Sequence, residues 1–87
     1  MTSYEFEKAA KIAVVRALYE KDIMVRMEDL QLVWFCHLVG NKKCLIYCPE
    51  MGCYYAEVTW HLDHQTMYVD LYQKVEHRSM GADQLEF

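Results

Sequence analysis

Apolar residues fall at helical spacing near the start of the chain and at alternating spacing through the rest. Phe6, Ala9, Ala10, Ala13, Val14 and Ala17 share one face of a helix, with Glu5, Lys8, Lys11 and Arg16 off it. Thr2 followed three residues later by Glu5 has the form of a capping box. Four alanines and the absence of Gly or Pro before residue 40 favour the helix through Tyr19 to Asp22, where it should fade. Ile12, Val15 and Tyr19 lie off the main stripe and give the helix a second apolar contact.

Beyond a charged connector that includes Ile23 to Asp29, the period changes from helical to alternating. Leu30 to Val39 is a β-rich run, and Gly40-Asn41 is a two-residue hairpin signal. Lys43 to Cys48 returns, Pro49 to Gly52 turns, and Cys53 to His61 makes a third strand. A polar turn near Leu62 to Gln65 leads into residues 66–76, which alternate as a strand does but also suit a short helix. The fold class is therefore α+β, an N-terminal helix packed on a four-stranded antiparallel β meander. Residues 1–76 form the single domain and residues 77–87 a flexible C-terminal tail.

With the turns taken as even in length, parity assigns the two faces. Leu32, Trp34, Cys36, Leu38, Leu45, Tyr47, Tyr54, Ala56, Val58, Trp60, Met67, Val69 and Leu71 form the dock for the helix. The opposite face carries Val33, Phe35, His37, Cys44, Ile46, Cys48, Cys53, Tyr55, Glu57, Thr59, Tyr68, Asp70 and Tyr72.

Composition gives this second face its interest. The 87 residues are 54 % apolar or aromatic, more than one small core hides, so either the N-terminal connector or the tail folds over the second face or part of that surface meets another chain. The net charge of −4 is uneven: seven Lys and Arg face six Asp and Glu over residues 1–43, but two face seven from residue 44 on. An acidic half disfavours nucleic acid, which is held by clustered cations. It suits a basic protein partner. Lys8, Lys11 and Arg16 interrupt the apolar N-terminal stretch, so neither a signal core nor a membrane span is expected; the four cysteines are then expected reduced in a cytoplasm.

Motifs for chemistry are sparse. In the expected register Glu57 lies opposite Asp70, a like-charge pair that calls for a cation, a partner's Lys or Arg, or a shared proton. Cys44 and Cys48 stand about 13 Å apart along a strand at ~3.3 Å per residue, too far to share one zinc ion. Cys36 and His37 point to opposite faces and cannot form a nucleophile and base pair. No phosphate loop, nucleophile elbow or paired-histidine zinc motif occurs, so no cofactor and no catalytic residue is expected.

The strings Leu32-Val33-Trp34-Phe35, Tyr54 to Trp60 and Met67 to Val75 resemble a family of small proteins of phages and prophages of Gram-positive bacteria, a domain of unknown function. The likeness spans about residues 8 to 77. It implies that Glu57 and Asp70 match the family's own acidic positions, whereas the cysteines at 36, 44, 48 and 53 depart from its pattern. By analogy the resemblance implies a phage accessory protein in the bacterial cytoplasm, including inhibitors of host defence nucleases of the anti-CRISPR kind.

The expectation is thus a non-enzymatic protein that binds a protein, either itself as a homodimer or a host or phage protein. The partner-binding residues are Val33, Phe35, Ile46, Tyr55, Glu57, Tyr68, Asp70 and Tyr72. The alternative is a small metal-binding or enzymatic domain using Glu57 and Asp70 with Tyr68 or Tyr72. A third possibility, single-strand nucleic-acid binding by aromatic stacking, conflicts with the acidic charge.

Overall fold

Helix α1 runs Ser3–Tyr19 and opens with both halves of the capping box. The Glu5 backbone N–H donates to Thr2 Oγ1 at 3.1 Å, and the Thr2 N–H donates to Glu5 Oε1 at 2.9 Å, so two otherwise unpaired donors are satisfied. Phe6, Ala10, Val14 and Leu18 form its fully buried stripe. Leu18 carries the buried stripe one residue past the expected Ala17, while Tyr19 is exposed beside the Glu20 C-cap.

The computed structural model describes residues 1–85, so the last two positions of the expected tail, 86 and 87, lie outside the described residues. A short 3-10 turn at Met27–Asp29 carries the chain to strands β1 (Gln31–Leu38), β2 (Asn41–Tyr47), β3 (Tyr54–His61) and β4 (Thr66–Gln73). All neighbours are antiparallel, in the order β1-β2-β3-β4, which makes the expected meander. Residues 66–73 are strand throughout, which settles the choice left open between strand and helix. A second 3-10 turn at Pro49–Met51 joins β2 to β3, and another at Ala82–Gln84 follows the sheet.

The core is a single layer between α1 and one face of the sheet. The helix stripe meets Leu30, Cys44, Ile46, Cys48, Met51, Ala56 and Val58, all essentially excluded from water. Each large aliphatic side chain buried there contributes roughly 1.5–3 kcal/mol. Helix α1 lies over β4, β2 and β3 and leaves β1 largely beyond its footprint. The result is two layers, 20 Å along the short axis of the molecule, with Trp34, Tyr68 and Tyr72 on the far side of the sheet left exposed.

The length of the β2–β3 connection and a bulge in β1 reassign the faces. The β1–β2 turn is Val39-Gly40, with Leu38 opposite Asn41, one position earlier than Gly40-Asn41. Both turn residues have positive φ (50° and 83°), as the tight turn matching strand twist requires. This shift preserves parity between β1 and β2. The β2–β3 connection does not: Ile46 pairs with Ala56, where a four-residue turn would set it against Tyr55. The connection is one residue longer than expected, with Gly52 at φ 63°, and it turns the first hairpin over relative to the second.

Phe35 and Ile46, expected on the open face, therefore lie on the helix side, as do His37, Cys44 and Cys48. Ile46 is fully buried, and the Phe35 ring packs 5.9 Å from that of Phe6. Trp34, Cys36, Leu38, Leu45 and Tyr47, expected beneath the helix, instead face away from it. A β-bulge at Val33 keeps Leu32 on the helix side and Val33 on the open side, because the register shifts between Leu32 and Trp34.

Candidate functional site

The open face is built from three cross-strand rows. One row holds Cys36, Lys43, Thr59 and Tyr68, and the next holds Trp34, Leu45, Glu57 and Asp70. The third is aromatic, where Tyr55 and Tyr72 are direct partners whose rings stack at 5.2 Å and 17°. Trp34, half exposed, and Tyr68 and Tyr72, each about two-fifths exposed, leave large rings in contact with water. A solvated face of an antiparallel sheet is ordinarily polar, so a face this rich in rings is a surface suited to a partner.

Glu57 stands directly opposite Asp70, the like-charge arrangement the sequence pointed to. Part of its cost is offset within the chain, because Lys43 Nζ lies 3.3 Å from Glu57 Oε1. The pair is substantially exposed and so contributes little by itself. Asp70 is exposed and has no ion pair among the described residues. The Glu57 carboxylate raises the Tyr72 phenol above its ordinary pKa, helped by desolvation and by Asp70. The centre of the face therefore carries local negative potential bordered by π-faces. Both features attract an ammonium or guanidinium group.

Beside this centre a pocket of about 230 Å³ opens between the bulge and the β2–β3 turn, lined by Val33, Leu45, Tyr47, Cys53, Tyr55 and Lys74 among others. It lies below the roughly 300 Å³ at which small-molecule sites begin, and its size suits one inserted side chain. The Tyr47 hydroxyl donates to the Gly52 carbonyl at 3.1 Å and so fixes one wall. A wider groove of about 360 Å³ between α1 and the connector has Lys8 and Lys11 mixed with Glu7 and Glu28, and Lys11 Nζ is already 3.9 Å from Glu7.

Of the expected site residues, Val33, Tyr55, Glu57, Tyr68, Asp70 and Tyr72 are brought together on the open face. Phe35 and Ile46 are not. Trp34, Lys43, Leu45 and Tyr47 join them and were missed, since Lys42 and Lys43 place a charge on both parities of β2 and leave its water-facing side undecided by sequence. At one end of the face His61 and His64 stack at 4.1 Å, His64 Nδ1 lies 3.1 Å from the Tyr68 hydroxyl, and the buried His61 Nδ1 has no hydrogen-bond partner among the described residues.

The thiols divide between the two sides. Burial pushes the Cys44 thiol up to about 11 and raises that of Cys48, which favours the neutral, unreactive form of each; Cys36 and Cys53 are exposed. No three His, Cys, Asp or Glu side chains converge as ligands of one ion among the described residues. Among the described residues no helix is long and apolar enough to cross a membrane.

The family of unknown function DUF6275 matches residues 7–82, a span that takes in most of α1 and all four strands. No curated protein and no solved structure matches the chain. With the match covering most of its length, the chain belongs to the DUF6275 family.

Proposed function

We propose that this chain is a non-enzymatic accessory protein that works by binding another protein through the open face of its sheet, and that the bound segment carries a Lys or Arg. The observation that carries this reading is the exposed Asp70, without an ion pair among the described residues, opposite Glu57 and beside the Tyr55–Tyr72 stack. A cation seated there offsets the repulsion between the carboxylates and meets the tyrosine faces. A neighbouring apolar side chain of the same segment fills the pocket at Val33 and Tyr47. The resemblance to phage and prophage proteins favours a partner from the phage or from its bacterial host, and a host defence nuclease is the class suggested by analogy. The protein would then act in the bacterial cytoplasm.

Affinity capture from a bacterial host, with the captured segment mapped by cross-linking, tests the reading. Glu57→Gln with Asp70→Asn removes both charges and keeps side-chain shape. A Lys- or Arg-bearing peptide taken from the captured segment is expected to bind the double variant about tenfold or more weakly, with the difference shrinking as salt rises. Equal affinity of the two proteins for that peptide overturns it.

A further inference from the structure

We propose that β1 is the contact through which two copies of this chain join, edge to edge, into one continuous antiparallel sheet. Strand β1 occupies an end of the sheet order and has β2 as its sole strand neighbour, so its outer backbone groups have no sheet partner. It is also the strand least covered by the helix. Seven of its eight residues are exposed, and both faces contribute: Trp34 and Leu38 on the open side, Phe35 on the other. The apolar strip continues into the hairpin tip, where Val39 is 84 % exposed.

Edges of this kind template the addition of a strand unless charge or proline blocks them. From Leu30 through Asn41 the chain has neither. The bulge at Val33 is the one blunting feature, and it confines the regular edge to Trp34–Leu38. The opposite edge, β4, carries the exposed Asp70.

A strand can add only where backbone groups are free, which in this sheet means β1 or the other edge, β4. Pairing β1 of one copy with β4 of another is head-to-tail and leaves a free edge at each end, and pairing β4 with β4 in central register brings two exposed Asp70 carboxylates toward one another. The pairing that closes and sets no like charges together is β1 with β1. Antiparallel pairing of β1 with a second β1 about a twofold axis is isologous and closes after two copies. Any register within Trp34–Leu38 sets uncharged residues opposite one another, with His37 the sole titratable imidazole in the segment. The twofold axis stands perpendicular to the sheet, so both helices lie on one side and the two open faces merge on the other. The dimer thereby displays its two Glu57–Asp70 centres on one face of an eight-stranded sheet, toward its two outer ends and about 29 Å apart at ~4.8 Å per strand. This inference concerns the edge and goes beyond the reading of the face; either can fail alone.

Sedimentation equilibrium from low to high micromolar concentration, combined with amide hydrogen exchange, tests it. The expected result is a species of twice the 10.4 kDa chain mass. Exchange at Trp34–Leu38 should slow as concentration rises. Cys36→Lys and Leu38→Lys, each at an exposed position of the edge strand, should both yield folded monomers by circular dichroism. A wild-type monomer across the range, or a dimer that survives both folded lysine variants, overturns the proposal.

Discussion

Tyr72 owes its raised phenol pKa first to the Glu57 carboxylate on the neighbouring strand, then to partial desolvation, then to Asp70 on its own strand. Because the folded-state value lies above the ordinary 10.0, the fold favours the protonated phenol. Its stabilising contribution is present below pH 10 and is lost as pH rises through the folded value. Removing the largest cause should reverse the shift, so Glu57→Gln is expected to bring the Tyr72 titration back toward 10, followed by its ring resonance in a 13C-tyrosine sample. An unchanged midpoint would mean that the carboxylate does not face the phenol as β3 and β4 place it. The pairing of Glu57 with Asp70 was legible in the sequence because the β3–β4 hairpin is regular and its turn has even length. The ion pair with Lys43 was not, because it depends on which way β2 turns its side chains.

The β1–β2 hairpin combines a strong local signal with a local misfit. Gly40 suits its φ of 83°, which is what calls for glycine here; a Cβ would also meet Leu62 Cδ2 at 2.5 Å, a contact that the exposed Leu62 side chain can relieve by turning away. Asn41 ties the same corner to the next turn by accepting the Leu62 N–H at 2.9 Å. Val39 is the misfit, a β-branched residue held at φ 50°. Val39→Asn gives the turn its favoured Asn-Gly pair and should stabilise the protein by about 1 kcal/mol in urea unfolding. A destabilising result would show that Val39 contributes packing that its exposure does not suggest. Valine in the left-handed region is rare, which is why the sequence placed the turn one residue late. Helix α1 needed no such correction, since its cap and spacing lie within a few residues of one another.

At the scale of the molecule the outcome turns on which side of the sheet receives each half of it. In the assembled fold Cys44 and Cys48 lie against the helix, and Cys36 and Cys53 remain in water. An alkylating reagent should therefore modify Cys36 and Cys53 in the native protein and reach Cys44 and Cys48 after unfolding, with the sites located by mass spectrometry. Rapid native modification of Cys44 would return β2 to the orientation an even-length turn implies. The sequence by itself determined the helix, the first three strands and, with residues 66–76 taken as the fourth, the meander order and the acidic pair, because each rests on contacts between residues close in the chain or on a simple alternation. The tertiary structure decided the faces. Parity is a long-range property: one extra residue between β2 and β3, and one bulge at Val33, outweigh any local preference of Phe35, Ile46, Leu45 or Trp34. The helix can bury only one side of a two-layer fold, so Cys44 and Ile46 of β2 went beneath it, and Trp34, Leu45 and Tyr47 were left with the acidic pair on the open side.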